Sequence, residues 1–184
     1  MCLPPHSSSL RRRCRVCEPD FSVPDFLELL RAKGLSIVTA ESCTGGLIAK
    51  LLTDVAGSSD VFWGGFITYS NRAKAKCLGV AEETLERCGS VSAQTVREMA
   101  MGALSVSGAS AAIAVSGIEG PGGGCAEKPV GSVWIGLRLA GGAHAERLFV
   151  FPPPREEVRS CAARKALWLM EKFISQGAEA LDTL

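Results

Sequence analysis

The run Ala111-Ala112-Ile113-Ala114-Val115-Ser116 is almost wholly apolar and leads straight into Gly117-Ile118-Glu119-Gly120-Pro121-Gly122-Gly123-Gly124. A short apolar run that ends in a glycine cluster reads as a strand covered on both faces. Such a strand needs helices above and below it, so the rest of the chain must supply them. The loop after it is too rich in glycine to be regular structure.

The remaining patterns supply the layers. Phe26, Leu27, Leu29 and Leu30 mark a helix from Pro24 that stops near Gly34. Ser36-Ile37-Val38-Thr39 reads as a buried strand, and Leu47, Ile48, Leu51, Leu52 and Val55 repeat at helical spacing after it. Gly65 to Tyr69 reads as the next strand and Asn71 to Cys77 as a short helix, which makes a βαβ unit with a parallel pair. Two further helices are expected over Glu82 to Arg87 and from Ser92, as cap, to about Val106. After the apolar strand, Ser132 to Leu139 and His144 to Phe151 alternate around Ala140-Gly141-Gly142-Ala143, a hairpin signal. A helix from about Arg155 to Gln176 closes the chain. The expected fold is α/β: a three-layer α/β/α sandwich with a mixed, mostly parallel sheet.

Residues 1–20, rich in Ser, Pro and Arg without apolar periodicity, read as a disordered extension, and residues 21–184 as a single domain. Twenty Lys plus Arg face 19 Asp plus Glu, so no basic field argues for nucleic acid. No stretch approaches the ~18 to 20 apolar residues of a membrane span, and Arg11-Arg12-Arg13 precedes no apolar signal segment, so the expected location is cytoplasmic. Eight scattered cysteines in a chain of this size read as free thiols. Cys14-x-x-Cys17 has the spacing of half a zinc site, yet no second pair follows at suitable distance and His6 completes it poorly.

Three expected strand ends carry polar groups: Glu41 to Gly46, Thr68 to Lys74, and Val115 to Gly124. Ligands of open α/β sheets bind outside the carboxyl ends of such strands. Ser42 falls on a strand-to-helix turn, where it is either a nucleophile or, like Thr44, a helix cap. Cys43 could serve as nucleophile only if its thiol were acidified there. His6 and His144 lie far from these loops, which argues against a Ser-His-Asp triad. Lys74 can act as base if burial lowers its pKa, and Tyr69, the only tyrosine, can hold the proton network; alternatively the lysine is solvated and the tyrosine merely packed. Gly117 to Gly124 can offer backbone N–H groups to a phosphate or be a mobile crossover.

Thr39-Ala40-Glu41-Ser42-Cys43-Thr44-Gly45-Gly46, Tyr69-Ser70-Asn71 with Lys74, Ser116-Gly117-Ile118 with Gly120-Pro121, and Lys128-Pro129-Val130-Gly131 with Val133-Trp134 closely resemble the CinA C-terminal domain family. The resemblance runs from about Phe21 to Phe173. It implies a nicotinamide-nucleotide amidohydrolase that converts nicotinamide mononucleotide to nicotinic acid mononucleotide and ammonia, with no cofactor and no metal. It implies Ser42 as nucleophile with Lys74 and Tyr69 as partners, and self-association into a homo-oligomer. Oxyanion or substrate contacts are expected from Cys43, Thr44, Gly45, Gly46, Ser116, Gly117, Gly120 and Arg155. The chain departs from the family pattern at Pro153-Pro154, where a Gly-Asp pair is common; this stiffens the approach to Arg155 and removes a carboxylate. The other reading is a catalytically silent nucleotide-binding or regulatory module of the same family. A Rossmann or P-loop protein is disfavoured, since neither glycine fingerprint occurs in context.

Overall fold

A computed structural model describes residues 21–179 and 181; the N-terminal extension, with Cys14, Cys17 and His6, lies outside them. Ser22 opens α1 (Val23–Ala32), its hydroxyl accepting from Asp25 N–H, with Pro24 in the first turn where no N–H is needed. The elements that follow are β1 (Ile37–Glu41), α2 (Leu47–Thr53), β2 (Phe62–Ile67), α3 (Asn71–Leu78), α4 (Glu82–Arg87), α5 (Ala93–Ser107), β3 (Ala111–Gly117), β4 (Ser132–Leu139), β5 (His144–Val150) and α6 (Arg155–Gln176). A 3-10 turn at Ser58–Asp60, absent from the sequence reading, precedes β2.

The five strands form one sheet in the order β2-β1-β3-β4-β5. β2, β1 and β3 run parallel, β4 pairs antiparallel with β3, and β5 pairs antiparallel with β4, so only β4 is reversed. Alternation along β3 shows why the apolar run required two helical layers. Ala111, Ile113 and Val115 join the core under α1, α2 and α6, while Ala112 and Ala114 join the core under α3 and α5. The expected mixed α/β/α sandwich is the observed fold.

Two details position the loops. The chain leaves β1 for β2 on one side and returns to β3 on the other, which puts the carboxyl ends of β1 and β3 beside a topological switch point. The strand ends are then tied together: Ser42 N–H donates to Val115 O at 3.0 Å and Thr68 N–H to Glu41 O at 2.8 Å. Among the described cysteines, Cys43, Cys77, Cys88 and Cys125 are free, whereas Cys161 is disulfide-bonded, against the expectation of thiols throughout. No helix among the described residues is long and apolar enough to cross a membrane.

Candidate active site

β1 continues to Glu41, two residues further than its β-branched core suggests, and Ser42 follows on the bend. Ser42 is 7% exposed. Lys74 enters from the second residue pair of α3, whose start is fixed by the Ser70 hydroxyl accepting from Ala73 N–H at 3.1 Å. Its ammonium nitrogen donates to Ser42 Oγ at 3.0 Å, to Thr68 O at 3.0 Å and more weakly to Tyr69 O at 3.4 Å. Lys74 is 1% exposed, and burial pushes its pKa below the ordinary lysine value. The negative charge of Glu119 opposes that shift without reversing it. A buried lysine aimed at a serine oxygen, with its proton loosened by desolvation, is the arrangement a general base requires.

The amides after Ser42 are not equally available. The Glu41 carboxylate folds over the start of α2 and accepts from Gly46 N–H at 2.9 Å, Ile48 N–H at 3.1 Å and Ala49 N–H at 2.8 Å, while Thr39 Oγ1 donates to it at 3.2 Å. Gly45 N–H donates to Ser42 O at 3.0 Å. Two of the four expected oxyanion donors, Gly45 and Gly46, are therefore already engaged. The N–H groups of Cys43 and Thr44 have no backbone acceptor among the described residues, the Cys43 N–H meeting only its own thiol, and they are the two left to meet a developing oxyanion. Gly45 and Gly46 serve the turn instead, at φ 59° and 95°, in the left-handed region that glycine adopts without strain.

Cys43 is buried, and burial together with the Glu119 charge pushes its thiol up to about 12, so it is not the acidified nucleophile considered from sequence. Thr44 Oγ1 and Thr68 Oγ1 are buried without a hydrogen-bond partner, the only such side-chain atoms among the described residues, and both flank Ser42 and Lys74 in the chain or through the Thr68 carbonyl. An orphaned hydroxyl at this spot is a ready contact for a polar ligand atom.

Tyr69 sits differently from the expectation. Its backbone carbonyl lies near Lys74, but the ring is 58% exposed and the hydroxyl donates to Glu119 Oε1 at 3.0 Å. Arg155 joins this group: Nη2 donates to the Tyr69 hydroxyl at 3.0 Å and pairs with Glu119 Oε1 at 2.7 Å, and Nη1 donates to Gly120 O at 2.8 Å. The phenol thus belongs to an acid and arginine cluster rather than to the serine and lysine pair. Ser116 Oγ donates to Ser90 O at 2.6 Å, which commits its hydroxyl elsewhere. Gly117 is required by close approach, since a Cβ there would lie 2.6 Å from Val133 Cγ2.

Sequence patterns alone do not single out Glu119 as a site residue, and they mark Arg159 only as charge added beside Arg155 at the start of the last helix. Glu119 is the only charged residue in Gly117–Gly124, and that is the signal that could have found it. Arg159 donates through Nε to Cys43 O at 3.1 Å and through Nη2 to Thr44 O at 2.8 Å, so it braces the peptide units that carry the Thr44 and Gly45 amides, directly after Ser42 and Cys43. Among the described residues no group of three or more His, Cys, Asp or Glu is placed to hold a metal ion. A cleft of about 580 Å³ between α3 and α4, bordered by Arg72, Lys76, Glu82 and Glu86, includes neither Ser42 nor Lys74.

The family model described as the CinA C-terminal domain matches residues 22–174. The chain is 56% identical over 134 residues to the nicotinamide-nucleotide amidohydrolase PncC of Enterobacter agglomerans, covering 73% of this chain and 82% of that protein. It is 51% identical over 148 residues to the protein of the same name from Escherichia coli (strain K12), covering 80% and 90%. Among solved structures, the competence/damage inducible protein CihA from Agrobacterium tumefaciens superposes with a TM-score of 0.79 at 46% identity, covering 80% of this chain and 90% of that one.

Proposed function

The chain belongs to the CinA C-terminal domain family, and from that premise we propose that it is a nicotinamide-nucleotide amidohydrolase, releasing ammonia from nicotinamide mononucleotide with Ser42 as nucleophile and Lys74 as base. The observation that carries the assignment of roles is the 3.0 Å contact between Lys74 Nζ and Ser42 Oγ, made by a lysine whose pKa burial has lowered.

In this mechanism neutral Lys74 takes the Ser42 proton as Oγ bonds to the carboxamide carbon. The carbonyl oxygen becomes an oxyanion, met by the N–H groups of Cys43 and Thr44, a contribution of about 3 to 4 kcal/mol per donor in comparable hydrolases. Lys74 then passes the proton to the amide nitrogen, the C–N bond breaks, ammonia leaves, and the nicotinoyl group remains as an ester on Ser42. Water attacks the ester carbon and gives its proton to Lys74. The C–Oγ bond breaks as Lys74 returns that proton to Ser42, leaving the carboxylic acid product. Tyr69 transfers no proton in this scheme, because its hydroxyl is engaged by Glu119 and Arg155.

The test is ammonia release from nicotinamide mononucleotide by the purified protein beside Ser42→Ala, with circular dichroism to verify the fold. Activity in the parent and none in the variant is the expected result. A parent that binds the nucleotide without releasing ammonia refutes the enzyme in favour of a silent binding module.

A further inference from the structure

Arg155 presents its guanidinium at the mouth of the loop cluster with its side chain 44% exposed, yet the nitrogen it would turn to an anion already faces a carboxylate. A guanidinium grips a phosphate or carboxylate through one of two forks, Nη1 with Nη2 at its end or Nε with Nη2 along its side. Both forks need Nη2. In this protein Nη2 already donates to the Tyr69 hydroxyl at 3.0 Å and stands 2.7 Å from the carboxylate oxygen Oε1 of Glu119. Nη1 is further tied to Gly120 O at 2.8 Å. The Tyr69 hydroxyl also donates to Glu119 Oε1 at 3.0 Å, so phenol, guanidinium and carboxylate close a tight triangle on that one oxygen. Glu119 itself is buried, so its charge is poorly screened by water.

The geometry points to Glu119 as an internal counter-ion that fills the anion fork of Arg155 and so sets how strongly this site reads a phosphate on its substrate. This inference rests on the amidohydrolase reading and adds to it a specificity-determining residue. An incoming phosphate must either displace the carboxylate from Nη2 or accept a single bond from a cation already neutralised at 2.7 Å. The carboxylate also lies close enough to act on both Cys43 and Lys74 through its charge, which places it at the reacting corner rather than on a remote surface. A neutral ribose without phosphate meets no such competition. The enzyme therefore discriminates between nucleotide and nucleoside amides less than an uncompensated arginine would allow, and the lost discrimination returns when the carboxylate is removed.

The experiment compares the parent with Glu119→Ala and Glu119→Asp. KM and kcat are measured for nicotinamide mononucleotide and for the dephosphorylated nucleoside, and inorganic phosphate binding is measured by calorimetric titration. The expected result is a KM for the nucleotide about tenfold lower in Glu119→Ala, with the nucleoside KM changed less than about twofold and inorganic phosphate bound about tenfold more tightly. Glu119→Asp keeps the charge and retains a nucleotide to nucleoside ratio near the parent's. A ratio unchanged in Glu119→Ala overturns the proposal, as does a rise in the nucleotide KM, which would mean that Glu119 holds Arg155 in its productive pose or contacts the substrate itself. If the parent releases ammonia from neither compound, the amidohydrolase reading fails on its own. The counter-ion is then judged by phosphate titration alone, tighter binding in Glu119→Ala supporting it and equal binding overturning it.

Discussion

Glu41→Gln is expected to destabilise the fold by about 2 to 4 kcal/mol, although it replaces one planar group by another of the same size. Glu41 is 1% exposed and accepts three backbone amides at the start of α2, Gly46 and Ile48 on Oε2 and Ala49 on Oε1, where Thr39 also donates. A glutamine has one acceptor oxygen, so its better orientation keeps the oxygen at the Oε2 position and turns its NH2 toward Ala49 N–H. Thr39 can rotate its hydroxyl to accept from that NH2, but the Ala49 amide is left buried and unpaired, at about 1 to 3 kcal/mol. Losing the negative charge beside the helix start removes about 0.3 to 1 kcal/mol more, up to ~2 in a partly buried setting. The opposite flip orphans two amides and is worse. Against a typical total of about 5 to 15 kcal/mol this is a large loss. Urea unfolding followed by circular dichroism reads it as a lower midpoint at unchanged m-value. A loss under about 0.5 kcal/mol would refute the view that this carboxylate, rather than water, organises the turn that carries Ser42.

Since Lys74 works as a base only when neutral and its pKa lies below the usual 10.5, kcat/KM should climb as pH rises through that lowered value; an activity that shows no rise with pH anywhere below 10.5 would contradict the role. The same depression links to stability: between the lowered folded value and the unfolded value of 10.5 the unfolded chain binds the extra proton, so folding stability rises with pH in that window, and Lys74→Met should flatten that slope in denaturation series across pH. Arg159→Lys replaces a fork spanning Cys43 O and Thr44 O by a point charge, and turnover should fall roughly tenfold or more while the thermal midpoint moves by only a few degrees; equal activity would show that these peptide units need no brace. Gly102→Ala sets a Cβ onto the Leu78 backbone carbonyl, and the overpacking of about 1 to 3 kcal/mol should exceed the helix-propensity gain of about 1 kcal/mol, visible as a lowered melting temperature.

The layers are legible in the sequence because their signals are local. α4 and α6 begin and end where the sequence pattern puts them, α6 directly after its run of prolines, and the apolar face of β3 alternates as its composition demands. β2 is harder, and its first three residues escape the pattern. Its register slips between Ile37 and Val38, which pair with Phe62 and Gly64, so Trp63 bulges out and Gly64 takes φ 147°. A bulge breaks the period of two on which a strand is recognised. The serine and lysine are legible because Ser42 directly follows β1 and Lys74 lies in the first turn of the helix after β2. The partner of the Tyr69 hydroxyl is not, since a phenol's direction is decided by residues fifty and eighty-six positions away. Glu41 escapes for a related reason: a carboxylate that caps a helix from five to eight residues upstream obeys no local capping rule.

What joins these separate loops is the first turn of α6. Arg155 and Arg159 are one helical turn apart and lie on one face of it, so a single rigid element reaches two places at once. The first arginine gathers the β2 loop at Tyr69 and the β3 loop at Glu119 and Gly120; the second gathers the β1 loop at Cys43 and Thr44. Between them runs the buried side of the helix, where Val158, Cys161 and Ala162 seat it in the core beneath the sheet. The geometry around Ser42 is therefore set from three directions, by a carboxylate at the end of β1, by a buried lysine on α3, and by a helix whose start lies more than a hundred residues later in the chain. Loop residues alone would have to lose their conformational freedom within the site; here most of that ordering is carried by packing in the core, which leaves the free amides of Cys43 and Thr44 fixed before substrate arrives.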